Sequence, residues 1–74
     1  MNWQGIRRFA LLRHEDESGV SGVGIVAVGV EFPSGTCVIE WVVQPATHGW
    51  YGSIAEVEQV HGHGGKTEVI WRDD

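Results

Sequence analysis

Two alternating runs joined by a proline–glycine turn constrain this chain more than any other feature. Across residues 22–32, bulky Val26, Val28, Val30 and Phe32 alternate with Ala27, Gly29 and Glu31. That is the period-2 pattern of a strand with one bulky face and one small face. Phe32-Pro33-Ser34-Gly35-Thr36 follows. Proline presets φ at the first corner of a type I turn and glycine accepts the left-handed position after it, so a three-residue hairpin loop with a bulge is expected. In the second arm, residues 36–43, Cys37, Ile39, Trp41 and Val43 share one face and Val38, Glu40 and Val42 the other. Gly24 and Gly29 weaken a strand unless it bends or something packs close, so the hairpin is expected to coil.

The flanking segments extend this sheet. Residues 5–14 read as a first strand, with Phe9, Leu11 and Arg13 opposite Arg8, Ala10, Leu12 and His14. The charged Arg13 and the His14 beside it suggest that this strand ends in solvent. Residues 15–21 read as a polar loop. After a loop containing Pro45, Trp50-Tyr51 suggests a short fourth strand. Ser53-Ile54-Ala55-Glu56 is a capping box, with Ser53 as N-cap and Glu56 three positions on. A helix over about 53–61 follows, its apolar stripe made by Ile54, Val57 and Val60 or His61. Gly62 is expected as its left-handed stop. Residues 66–72 read as a last strand, with Thr67, Val69 and Trp71 alternating against Glu68 and Ile70.

The fold class is therefore α+β, mostly β. It is a small curled antiparallel sheet or partly open barrel of four to five strands, in the order β-β-β-(β)-α-β. The helix is expected to roof the bulky side of the hairpin, with Val26, Val30, Ile39 and Trp41 against Ile54 and Val57. Glu31 and Glu40 are expected on the opposite, small face, near each other. At 74 residues the chain is one domain, 1–74, with residues 1–4 and 73–74 expected to be flexible. So short a chain buries only about 60% of its unfolded surface. Its four tryptophans are the main means of building a core.

Charge and cysteine usage bound the function. Ten Asp and Glu against five Lys and Arg give a net charge of −5. This argues against a general nucleic-acid binder, which needs a basic face, although a barrel face carrying Arg7, Arg8 and Arg13 keeps that reading as a third alternative. The single cysteine, Cys37, precludes an internal disulfide. No apolar run reaches the roughly 18 residues of a membrane span, and residues 1–8 lack a signal-peptide core. The expected setting is cytoplasmic, with no membrane partner.

Four histidines invite a metal reading. Neutral imidazoles ligate zinc, and His14, His61 and His63 could converge as a three-histidine site for zinc or another divalent metal. Against it, no H-x-x-x-H or H-E-x-x-H spacing is present, and a histidine at a helix C-terminus also serves the helix dipole. The expectation is no cofactor. Gly65-Lys66-Thr67 resembles the end of a P-loop, but Val60 stands where glycine is required and the order is helix-loop-strand, the reverse of a P-loop. A modest anion nest in the glycine loop, aided by Lys66, stays open. No nucleophile elbow is present. Trp3, Trp50 and Tyr51 are the aromatics least explained by a core, and are candidate partner contacts.

Two blocks carry a resemblance. One is Gly22-Val23-Gly24-Ile25-Val26-Ala27-Val28-Gly29-Val30-Glu31-Phe32 with Ser34-Gly35-Thr36 and Trp41; the other is Ser53-Ile54, Glu56, His61-Gly62-His63-Gly64-Gly65-Lys66-Thr67 and Trp71. Together they resemble short uncharacterised proteins of haloarchaea, actinobacteria and their phages, over roughly residues 7–72. The resemblance implies one compact domain and a phage or mobile-element origin, and it brings no catalytic residue. The residues favour a small non-enzymatic protein-interaction or regulatory module with a protein partner and a tendency to homodimerise. A histidine-based metal protein or small metal-dependent enzyme is the main alternative.

Overall fold

The computed structural model describes residues 5–14 and 23–73, apart from the His63 side chain. Strands β1 (Arg7–Arg13), β2 (Gly24–Glu31), β3 (Cys37–Trp41) and β4 (His48–Tyr51) are followed by helix α1 (Ile54–His61), a 3₁₀ turn (His63–Gly65) and strand β5 (Thr67–Trp71). The five strands form one sheet in the order β4-β3-β2-β1-β5. Every pairing is antiparallel. The sheet is open, and α1 carries the chain across one face from edge strand β4 to edge strand β5.

The hairpin forms as its turn chemistry dictates. Phe32 N–H donates to Thr36 O, Gly35 N–H donates to Phe32 O, and Gly35 takes φ +94°. Val30 then pairs with Val38 and Glu31 with Cys37. At the helix, Ser53 Oγ accepts the Glu56 N–H at 3.2 Å, which satisfies one of the amides that the first turn leaves unpaired. The stop differs from expectation. Gly62 stays right-handed and donates to Glu58 O; the left-handed residues are Gly64 and Gly65. Gly65 N–H and Thr67 N–H both donate to Gly62 O. Within the glycine loop where an anion nest was expected, the Gly65 amide is therefore used by the loop itself.

Among the described residues, seven form the buried core: Phe9, Leu11, Val26, Ala27, Cys37, Ile39 and Val57. Trp41, Tyr51, Ile54, Val69 and Trp71 pack around them. Val57 is the buried residue of α1, whereas Val60 is 57% exposed, so the helix stripe continues through His61 rather than Val60.

Val26 is buried as expected, but from Val28 onward the faces of β2 are the reverse of expectation. Ala27 and Gly29 lie opposite core residues Leu11 and Phe9, and Glu31 opposite Arg7 on the same face, while Val28 and Val30 point to the uncovered face. Two things cause the inversion. A β-bulge where the register shifts between Leu11 and Leu12 lets Val26 and Ala27 both turn inward. Beyond it, the Phe9 ring lies across the central strand, so close to Gly29 that a Cβ there would stand 2.7 Å from Phe9 Cζ. The small side of β2 thus accommodates large residues from its neighbours. Val30 consequently does not pack under α1. Glu31 and Glu40 fall on opposite faces, Glu31 with Arg7 at 2.8 Å and Glu40 with His48 at 2.9 Å.

The ends of β1 are tied down. Arg13 does not emerge into solvent; it is buried, and its Nε donates to Thr67 Oγ1 at 3.3 Å. Arg7 lies over the Trp71 ring at 3.9 Å, a cation–π contact. Past β5, Asp73 accepts from the Arg8 backbone N–H at 2.8 Å and from its guanidinium at 3.0 Å. These bonds lower the Asp73 carboxyl to about 2. A carboxyl lowered by folding stabilises the fold above its ordinary value of 3.8, and that support is lost as pH falls towards 2. The melting-temperature gap between wild type and Asp73→Asn is therefore expected to be open at neutral pH and to close over this interval, as read by circular dichroism.

Candidate functional site

The face of the sheet away from α1 is uncovered, and strand alternation sets what it presents. One row runs Trp50, Val38, Val30, Arg8 through successive cross-strand pairs. Arg72, whose N–H donates to Arg8 O, continues it. The next row runs His48, Glu40, Val28, Ala10, Ile70. Ile25, Leu12 and Glu68 begin a third. Trp50 is 72% exposed, Ile25 47%, Val28 45% and Ile70 39%. An open concavity of about 760 Å³ lies between strands β3 and β5, lined by Arg8, Ala10, Val28, Val38, Ile70 and Arg72 among others; Trp50 and Ile25 stand outside it.

Around the apolar centre stand polar side-chain pairs. Arg8–Asp73 holds one corner at 3.0 Å, His48–Glu40 the opposite side at 2.9 Å, and His14–Glu68 the far end of β1 at 2.7 Å. All three are exposed pairs that contribute little to stability. The arrangement is an apolar middle with a polar border.

The residues singled out from the sequence are dispersed. Trp50 stands on the open face, but Tyr51, next in the strand, points the other way and hydrogen-bonds His61 Nε2 through its hydroxyl. Burial raises the Tyr51 phenol above its ordinary value. His61 is also edge-on to Trp41, with ring centroids 4.8 Å apart. His14 pairs with Glu68 on the open-face side, so His14 and His61 lie on opposite sides of the sheet. Trp3 and the His63 side chain lie outside the described residues. Among the described residues, no group of three His, Cys, Asp or Glu side chains is placed to hold a metal ion. Nor is any helix among them long and apolar enough to cross a membrane.

The residues that sequence reasoning missed are Val28, Val38, Ile70 and Arg72. Their signal lay in the alternation of β3 and β5, once the small side of β2 is assigned to the core. With this geometry in hand, the relatives become informative. A family model described as Acb5 phage protein matches residues 6–73. The chain belongs to this phage protein family. The matched residues span every strand and the helix. No curated protein and no solved structure matches the chain.

Proposed function

We propose that this member of the Acb5 phage protein family is a small binding module of the infected host's cytoplasm, acting on a protein partner through the open face of its sheet. One observation carries this reading: a contiguous apolar surface centred on Val28, with Trp50 and Ile70 standing out of it and polar side-chain pairs around it. The described residues include seven buried apolar ones, and yet the Trp50 indole is 72% exposed. Contiguous exposed apolar surface of this kind marks interaction sites, and exposed tryptophans carry a large share of binding energy at such sites.

Photo-crosslinking during phage infection tests it. A benzoylphenylalanine replacing Trp50 is expected to give discrete protein adducts; the same group replacing Glu58, exposed on the outer side of α1, is expected to give few. Adducts from position 58 with none from position 50 would reject the open face as the binding surface.

A further inference from the structure

We propose that the outer edge of β4 is a strand-addition site, where a segment of the protein partner lies extended along residues 48–51 and continues the sheet past Trp50. The site rests on the open face being an interaction surface, which it borders at Trp50. The main chain of β4 is what selects an extended segment.

In an antiparallel ladder, opposite residues that exchange main-chain bonds alternate with opposite residues that exchange none. Trp41 N–H donates to Thr47 O at 3.0 Å, in the same register that sets Glu40 opposite His48. Ile39–Gly49 and Cys37–Tyr51 are therefore the bonded pairs, and His48 and Trp50 turn their N–H and C=O groups away from β3. The other side of β3 agrees. Val42 N–H donates to Val26 O and Phe32 N–H to Thr36 O, so Val38 and Glu40 bond β2 and the odd-numbered residues of β3 bond β4. The β4 edge thus offers up to four main-chain bonds from two residues. Exposed edges are commonly blunted by lysine, proline or a bulge. Residues 48–51 are His-Gly-Trp-Tyr, and their pairing with β3 runs without a shift. At the opposite edge, by contrast, the Thr67 N–H of β5 is already taken by Gly62 O.

The edge is also held in place before anything pairs with it. On the side facing α1, the Tyr51 ring lies over Gly49, where a Cβ would stand 2.7 Å from the phenol oxygen, and its hydroxyl hydrogen-bonds His61 of the helix. A strand anchored in this way loses little freedom on binding. On the open side, an added strand sets alternate side chains beside Trp50 and His48, and these give specificity while the main chain gives affinity. The neighbour of Trp50 is apolar, to cover an indole that is 72% exposed. The neighbour of His48 is basic, because the Glu40 carboxylate lies 2.9 Å from the imidazole and the chain as a whole carries a net charge of −5. The partner segment is thus extended, with an apolar and a basic residue two positions apart.

Amide exchange of the wild-type chain, read by nuclear magnetic resonance, is the first test. The His48 and Trp50 amides are expected to exchange at least tenfold faster than those of Gly49 and Tyr51; equal protection overturns the site. The second test uses benzoylphenylalanine at position 50 during infection, with His48→Ala or His48→Pro in the same chain. Both changes remove the imidazole, but only proline removes the outward N–H, and proline is tolerated at such edge positions. Adduct yield is expected to stay within about twofold for His48→Ala and to fall at least tenfold for His48→Pro, with both proteins melting within a few degrees of each other. In the purified adduct of the chain with His48 intact, the His48 amide is expected to exchange at least tenfold more slowly than in the free chain. An unchanged His48 rate in that adduct, or equal yields from the two His48 variants, overturns strand addition and leaves the binding module standing; the exchange arm holds even if His48→Pro fails to fold. An adduct of twice the 8.1 kDa chain mass gives the edge to a second copy and overturns a foreign segment. No adduct at all from position 50 removes the module and the strand-addition site together.

Discussion

Val57→Asp is expected to leave no folded protein at 37 °C, while Val60→Asp, three residues along the same helix, is expected to melt within a few degrees of wild type. Val57 is fully buried and is the residue through which α1 enters the core with Ile39, Leu11 and Val26; Val60 is 57% exposed. A carboxylate placed at position 57 loses its hydration in an apolar cluster. Taking an unpaired charge out of water costs several kcal/mol even after relaxation. Domains of this size have about 4–11 kcal/mol in total, so the loss consumes most of what is available. At position 60 the same carboxylate stays in water, where surface changes are worth about ±0.5 kcal/mol. Thermal melts of the two variants beside wild type read the difference directly. Equal melting temperatures would mean that α1 does not cover the sheet with its Val57 side.

The second large effect belongs to the smallest residue of the central strand. Gly29→Ala is expected to cost about 3 kcal/mol, the upper part of the range for overpacking a filled core, and to lower the melting temperature by more than about 10 °C. The new methyl would stand 2.7 Å from both Phe9 Cζ and Val38 O, and 2.9 Å from Ile39 Cγ2. The Phe9 ring could swing away, but it is held edge-on by Trp71 at 5.4 Å. The Val38 carbonyl is main chain in the neighbouring strand and moves only with the sheet. Elsewhere an alanine for glycine stiffens the unfolded chain and can stabilise, so a Gly29→Ala protein as stable as wild type would mean that steric crowding by Phe9 does not set the orientation of β2. A double variant, Gly29→Ala with Phe9→Leu, is expected to recover part of the loss, because it vacates the space the methyl needs.

These two positions also show how far the residue pattern alone reaches. Ser53 and Glu56 announce the helix start, and Pro33-Ser34-Gly35 fixes both the hairpin loop and its register, because in each case a few adjacent residues determine the local hydrogen bonds. The side of β2 that faces the core is not legible in the same way. The bulkier side of an isolated strand pattern reads as the inner side. In this sheet the inner side is chosen by Phe9, about twenty residues away, and by a bulge at Leu11/Leu12 that turns Val26 and Ala27 the same way. Both are tertiary facts. The open face inherits the same ambiguity. Trp50 is visible as an aromatic in excess of the core, but its partners Val28, Val38, Ile70 and Arg72 come from three other strands and adjoin only when the strand order is known. Arg13 misleads for a related reason. A charged residue at a strand end suggests water, yet Thr67 of β5 supplies a hydroxyl for it inside.

The placement of β5 has a temporal side. Its partner is β1, and Leu11 meets Val69 only after everything between them has been traversed. The loop that must close is long, and its entropy is lost before the pairing returns anything. The β2–β3 and β3–β4 hairpins can zip from their own turns, so they are free to assemble first. Until α1 has swung over and delivered β5, the outer rim of β1 displays unpaired amides and carbonyls, the kind of rim to which strangers add strands. The crossing helix is therefore more than a lid on the core: it is the carrier that brings the final strand to the rim of β1 and closes it to other chains.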